Sequence, residues 1–445
     1  SMIFGLIFIG PEIYGFFIVR LLGLMKNYVL LAVPLFLFMG VFMEKAGVAE
    51  RLYSSMYLWL GGLRGGLAMA TVVICMIFAA ATGVVGASEV TIGLLALPAM
   101  LSRNFNKPLA CGTICAGGTL GILIPPSIMI VMYGPTAGLS VGKLFMGAFI
   151  PGILLAFLYL IYIAVRCYFR PQDGPPMPLE ERSVPLKKKL TLLLTSIIPP
   201  LFLIFAVLGT IFFGIASVTE ASAMGAIASI VLAAAYRQVD FQVIKEACKR
   251  TLQITSMILM IAVGAGFFTS TFVALGGDEV VNNFVLGLPF GKWGILFTMM
   301  GMLVVLGMFI DWIGIIFVVV PMVSPMATDL GFDPLWFGIM FNINLQVAYL
   351  SPPFGYAMFY LKAVSPTEIT MTDLYKAVLP FIGLQLIAMA LFIFPFPTNS
   401  EKTCNGSFFT IFTLKSSLSL TTSPTLNFSN RFLFTTSLSI PSGAK

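Results

Sequence analysis

Long apolar runs set off by short polar breaks dominate the chain. Val29–Met43 is one such run, closed by Glu44 and Lys45. Gly47–Leu60 interleaves Glu50 and Arg51 with aromatic residues and reads as an amphipathic helix at a membrane interface. Leu67–Ala81 is apolar, and Thr82–Gly93 (TGVVGASEVTIG) separates it from a further apolar run that ends at Leu101. Each arm is shorter than the roughly 20 residues that a full crossing takes. The pattern predicts a re-entrant hairpin over about residues 64–102, with one kinked long helix as the alternative. An interrupted helix follows over about 108–139, then a long crossing over Val141–Phe169. Arg170–Lys189 is a polar, proline-bearing linker. Leu190–Phe213, Ala216–Tyr236 and Thr251–Leu275 read as crossings, with a second amphipathic stretch at Arg237–Arg250. Residues 291–328 repeat the short-arm pattern around the tip Gly307–Gly314. Phe332–Val364 is a second interrupted helix, and Ala377–Phe394 is the last span.

The interruptions are double prolines, Pro125-Pro126 and Pro352-Pro353. Proline lacks the N–H and clashes with the preceding turn, so neither pair continues a regular helix. In lipid the freed backbone groups are tolerated only where protein or a polar cavity covers them. Each break is therefore a structural kink or part of a site. Their surroundings match in order. Pro98, Pro108, Pro125-Pro126 and Tyr133 answer to Pro321, Pro334, Pro352-Pro353 and Tyr360, and eight residues separate the first break proline from the tyrosine in both. Leu144-Phe145 before Pro151 echoes Leu374-Tyr375 before Pro380.

Charge supplies the orientation. Arg166, Arg170, Arg182 and Lys187–Lys189 assign the linker to the cytoplasm, and Arg64, Arg103 and Lys107 place the base of the first hairpin there too. Asp278, Glu279, Asp329 and Asp333 then fall outside. Five crossings, counting the first interrupted helix, separate the hairpins. An odd number inverts the second copy relative to the first. Paired inverted repeats with broken helices are the mark of a secondary transporter, whose half-helix ends supply N–H donors to an anion and carbonyls to a cation.

Composition agrees. Of 445 residues, 59% are hydrophobic and 10% charged, with mean hydropathy +1.01, where soluble domains carry about 25% charged residues. The fold class is an all-α polytopic membrane protein. The net charge of +7 is spread over loops rather than on a soluble basic module, so nucleic acid is no partner. The absence of histidine weighs against histidine catalysis and most zinc sites. Cys111 and Cys115 read as small buried hydrophobes. A membrane-embedded enzyme and a passive channel are the rival classes; neither is suggested by a clustered acid or thiol site.

Several motifs resemble the large membrane subunit of tripartite ATP-independent periplasmic (TRAP) transporters. They are AVPLFLFMGVFMEKAGVAERLY (Ala32–Tyr53), GTLGILIPPSIMIVMYG (Gly118–Gly134), SVGKLFMGAFIPG (Ser140–Gly152) and SVTEASAMGAI (Ser217–Ile227) in the first part of the chain. GMFIDWIGIIFVVVP (Gly307–Pro321), FDPLWFG (Phe332–Gly338) and YLSPPFG (Tyr349–Gly355) follow in the same order, and the likeness covers about residues 28–395. The resemblance implies Na⁺-coupled uptake of a small carboxylate-bearing organic anion across the bacterial inner membrane. It implies an elevator mechanism, a small membrane subunit and an extracytoplasmic solute-binding protein as partners, and no cofactor besides Na⁺ as the coupling ion. A stand-alone Na⁺/carboxylate symporter without a binding protein is the neighbouring alternative. Relative to the family, the segment before Ala32 looks short or divergent, and the first hairpin carries few serines, only Thr82, Ser88 and Thr91, with Glu89 among them.

On this reading residues 1–27 are an uncertain first membrane segment, 28–169 a first repeat, 170–189 a cytoplasmic linker and 190–395 the half holding the second repeat. Residues 396–445, rich in Ser, Thr and Phe, form a low-complexity tail, disordered or non-native, without assigned function. A first Na⁺ site is expected at Gly83, Gly86, Ser88, Gly121, Ile124 and Pro125, mostly through carbonyls, although the glycines also suit plain close packing. A second is expected at Gly307, Asp311, Leu350, Ser351 and Gly355. The substrate region is Thr82, Pro126, Ser127, Pro352 and Pro353. Among acids in apolar surroundings, Asp311 at a tip points to an ion or substrate path. Glu220 is read as a cap of the helix it opens, and Glu89 as either a functional acid or, in the same way, a cap of the second hairpin arm. The stretches 47–60 and 237–250 either brace a moving part against a scaffold or simply anchor at the interface. The linker lysines set topology.

Overall fold

The structure is a computed structural model, and it describes residues 2–8, 10–83, 85–178 and 185–393. Within them the chain is helical, without a strand. In chain order the helices are α1 Met2–Phe8, α2 Ile13–Lys26, α3 Ala32–Lys45, α4 Val48–Leu60, α5 Gly66–Thr82, α6 Val85–Leu101, α7 Lys107–Leu123, α8 Ile128–Thr136 and α9 Val141–Phe169. After the linker come α10 Leu186–Phe212, α11 Val218–Ala235, α12 Phe241–Ala274, α13 Gly277–Leu286, α14 Lys292–Phe309, α15 Trp312–Val318, α16 Val320–Asp329, α17 Pro334–Leu350, α18 Tyr356–Val364 and α19 Met371–Ile393. Seven helical stretches among the described residues are long and apolar enough to cross a membrane.

The repeat is visible in the helix bounds. α7 and α17 each run 17 residues, α8 and α18 each run nine, and their breaks fall at 124–127 and 351–355. Asn106 caps α7 by accepting from the Leu109 N–H, and Asp333 caps α17 by accepting from the Trp336 N–H, each with proline in the first turn. Each break carries a cis peptide between its prolines.

In the first hairpin segment α5 and α6 pack on each other, turned by Gly83 with φ +64°. The second departs from a plain hairpin, since its returning arm is α15 and α16, bent by 54° before Pro321. Its base closes through Trp293, whose ring meets those of Phe332 and Trp336 edge-on.

Contacts between distant segments sort the ends of the bundle. The linker lies across the base of the first hairpin, where the Gly65 N–H donates to the Gly174 carbonyl, Asn106 to Asp173 and Met177 to Gly61. Arg166 pairs with Asp173 at 2.9 Å. Lys107, at the start of α7, pairs with Glu368, just after α18, at 3.6 Å. The start of one broken helix thus lies beside the end of the other, as inversion requires. At the same basic end by the charge rule, Lys45 meets Glu246 and Arg250 meets Glu44, both at 2.9 Å.

Two expectations are corrected. The stretch 237–250 and the crossing that follows are one helix of 34 residues, α12. Its polar first turns sit against the end of α3, where Glu44 and Lys45 pair with them, so they need no separate interfacial helix. The α10 crossing starts at Leu186, inside the expected linker, so Lys187–Lys189 occupy its first turn. The short helix α13 follows a left-handed Gly276 and was not foreseen. Residues 2–26 form two helices on either side of Pro11-Glu12. The expected tail, 396–445, lies outside the described residues.

Candidate functional site

The two breaks are brought together by crossed packing. α18, the end of the second broken helix, packs on α6 of the first hairpin. α8, the end of the first, packs on α15 and α16 of the second hairpin, and α7 packs on α17. Each hairpin therefore touches the broken helix of the other repeat as well as its own.

At the first site the tip meets the break at close range. A Cβ built on Gly83 would lie 2.8 Å from the Pro126 carbonyl oxygen. The Thr82 and Ser88 hydroxyls bond each other at 2.9 Å, both fully buried. Ser127 donates to the Ile122 carbonyl at 2.6 Å, which leaves its lone pairs for another partner. Gly121 faces Ala79 of α5, and Ile124 packs under Gly152 of α9. Thr82, Gly83, Ile124, Pro125, Pro126 and Ser127 thus share one buried junction.

Gly86 does not join this junction. It sits against the ring of Tyr360 on α18, so it connects the first hairpin to the second break. Glu89 is not a helix cap. It lies inside α6, fully buried, with its side chain laid over Gly118 of α7, and neither carboxylate oxygen has a hydrogen-bond partner among the described residues. The cap reading fails because the helix begins at Val85, one turn earlier. Glu220 does cap: with Ser217 it closes a reciprocal capping box, Ser217 N–H to Glu220 carboxylate at 2.7 Å.

The second site is more open. Ser351 ends α17 and donates to the Val347 carbonyl at 2.8 Å. Gly355, with φ +49°, faces the carbonyls of Leu350 and Ser351; a Cβ there would stand 3.4 and 3.3 Å from their oxygens. Asp311 occupies the turn between α14 and α15, its carboxylate beside the Trp312 and Ile313 N–H groups without closing a cap bond. Gly307 lies against Ala348 and Leu345 of α17, which docks the tip on the break. Pro353 and Phe354 are exposed, whereas the whole first break is buried. Tyr375 of α19 donates its hydroxyl to the Pro353 carbonyl at 2.9 Å.

Tyr360 and Tyr375 are parts of this region that the sequence marked only as echoes of Tyr133 and Phe145. Both breaks offer carbonyls, hydroxyls and half-helix ends, a donor set that suits a monovalent cation and an anionic group. No cluster of three or more Cys, Asp or Glu side chains that would hold a transition metal occurs among the described residues.

The family model "Tripartite ATP-independent periplasmic transporter, DctM component" matches residues 2–397. The C4-dicarboxylate TRAP transporter large permease protein DctM of Pseudomonas aeruginosa is 31% identical over 386 residues, covering 86% of this chain and 88% of that protein. The sialic acid TRAP transporter large permease protein SiaM of Vibrio cholerae is 28% identical, covering 84% and 86%. Among solved structures, the Alcanivorax borkumensis YdaH transporter, described as having an unusual topology, superposes with TM-score 0.59 at 16% identity over 87% of each chain, a likeness of fold. Large permeases of this kind are multi-pass proteins of the bacterial inner membrane, work with a small membrane subunit and a periplasmic binding protein, and are not enzymes. The chain belongs to this family, as the DctM component of a tripartite ATP-independent periplasmic transporter.

Proposed function

We propose that this chain carries out Na⁺-coupled uptake of a small organic anion of the carboxylate class, delivered by its solute-binding protein. The observation that carries the reading is the crossed packing of each hairpin on the other repeat's broken helix, which gathers two polar breaks into one apolar bundle. One Na⁺ is held at the Gly83–Pro126 junction by Gly83, Ile124 and Pro125 carbonyls, with Ser88 and Gly121 shaping the tip around it. The other is held by Asp311, Leu350, Ser351 and Gly355, with Gly307 docking the tip. The anion lies between them, near Thr82, Pro126, Ser127, Pro352 and Pro353. The names of the relatives, which include C4-dicarboxylate, isethionate and sialic acid systems, support an anionic substrate.

The halves 28–169 and 190–395, joined by 170–189, supply one hairpin and one broken helix each. In an elevator these four elements move together, while α3 and α10–α12, which pack on one another, form the scaffold. The test is uptake into proteoliposomes holding the chain and its small subunit. Uptake should need both an inward Na⁺ gradient and the cognate binding protein. Robust uptake without the gradient sinks the coupling, and robust uptake without the binding protein sinks the delivery step.

A further inference from the structure

The centre of the bundle holds a polar node that no ion or substrate reading uses. Gln346 of α17 donates through Nε2 to the Thr119 hydroxyl of α7 at 3.2 Å. These residues are 227 positions apart, the same offset that separates Pro125 from Pro352 and Asn106 from Asp333. They are therefore equivalent positions of the two repeats, and their bond lies on the pseudo-twofold axis. Each sits five residues before its break, at Ile124 and Ser351, roughly 7.5 Å along the helix.

Two further helices, α9 and α19, pack on both α7 and α17 and carry polar groups there. The Tyr159 hydroxyl of α9 faces Thr119 and Gln385 of α19 without closing a hydrogen bond to either. All four side chains are fully buried. Among the described residues the Tyr159 hydroxyl, both amide atoms of Gln385 and Oε1 of Gln346 have no partner. Phe381, one turn before Gln385, holds the Tyr159 ring edge-on at 5.3 Å, so the node is walled by packing.

We propose that this node is a water-binding site on the axis, and that Gln346 and Thr119 are positioning residues that hold the two breaks at matched depth. Water fits better than a cation for two reasons. The unpaired atoms include donors, on Tyr159 and Gln385, as well as acceptors, and a buried water typically makes about three hydrogen bonds of both kinds. The node contains no anionic side chain, and an uncompensated ion in the apolar interior is expensive. Bridged in this way, α7 and α17 respond as one body, so binding at one break is felt at the other. The site rests on the repeat pairing and not on which ion drives transport.

The test is a map of the chain with its small subunit, at a resolution that shows water, recorded once in sodium chloride and once in choline chloride. The expected result is a peak at hydrogen-bond distance from Gln346, Gln385 and Tyr159 in both salts, lost in Tyr159→Phe. A peak present only in sodium overturns the proposal in favour of a cation site, and direct Gln385–Tyr159 bonding with no peak overturns it outright. For the positioning role, Gln346→Met should raise the half-saturating Na⁺ about tenfold with the maximal rate retained. Wild-type Na⁺ dependence in that variant overturns the positioning role, whereas loss of all Na⁺ dependence in the wild-type protein would strike the coupling reading and leave the water peak standing.

Discussion

Gly83→Ala tests whether the first hairpin tip and the first break make an ion site. The substitution has two costs that the structure separates. Gly83 holds φ +64°, and a left-handed residue with a Cβ costs ~1–2 kcal/mol. The new methyl would also stand 2.8 Å from the Pro126 carbonyl oxygen. An ordinary C···O contact is roughly 3.3–3.6 Å, so tip and break must part by about 0.6 Å. A misplacement near 1 Å can cost about a hundredfold where groups must converge. Roughly half that displacement predicts a half-saturating Na⁺ raised about tenfold, or ~1.4 kcal/mol.

The control is Gly214→Ala. Gly214 has φ +69° and no heavy atom within 4 Å of a built Cβ, so it carries the backbone strain alone. Gly214→Ala should lose the strain cost in thermal stability in detergent and Gly83→Ala at least as much, but only Gly83→Ala should shift the Na⁺ dependence of uptake in proteoliposomes. Equal, wild-type Na⁺ dependence in the two would refute the argument, because strain without displacement would then explain everything Gly83 does.

Four further outcomes follow from the same geometry. Ser351→Ala and Asp311→Asn should each weaken the Na⁺ dependence of uptake with expression preserved, and wild-type behaviour in both undoes the second site. Tyr375→Phe removes the bond to the Pro353 carbonyl, worth ~0.5–1.5 kcal/mol net, and should raise the half-saturating substrate concentration by roughly two- to tenfold; an unchanged value shows that the hydroxyl does not steady the break. Ser217→Ala should cost ~1 kcal/mol through the lost cap, read as a lower thermal midpoint, while Glu220→Gln leaves Na⁺ dependence untouched. Glu89→Met removes two buried oxygens that have no hydrogen-bond partner among the described residues; since a buried polar group left unpaired costs ~1–3 kcal/mol, the thermal midpoint should rise, and a fall would show that Glu89 has a partner worth keeping.

Much of the fold was legible because proline and charge act locally. Pro125-Pro126 and Pro352-Pro353 interrupt their helices, although Pro199-Pro200 lie inside the unbroken α10, and Asn106 and Asp333 start the helices that lead to the two breaks. What the sequence concealed depends on which faces meet. Arg237–Arg250 looks separable from the crossing after it, because its periodicity changes with its surroundings from polar to apolar. The backbone does not change: Glu44 and Lys45 of α3 compensate Glu246 and Arg250, and one helix runs through. Glu89 looks like a cap because acids favour helix starts, but Gly118 gives it a slot one turn inside. Gly86 looks like part of the first site by its neighbours in the chain, yet it belongs to the contact with Tyr360 in the other repeat.

The same offset that pairs the breaks also locates what lies on the axis between them. Any residue bonded to its own counterpart 227 positions away must sit where the two repeats exchange, and Thr119 with Gln346 meets that condition. The pair is chemically unlike, a hydroxyl facing an amide, so the repeats are not equivalent at their shared centre. The breaks differ in the same sense. Ser351 precedes its prolines where Ile124 stands in the first copy, and Ser127 follows its prolines where Phe354 stands in the second. A hydroxyl therefore lies before the prolines in one break and after them in the other. Two symmetric halves would offer two identical sites and no direction between them. This side-chain asymmetry runs with an asymmetry in exposure, since the first break is wholly buried while Pro353 and Phe354 of the second are exposed.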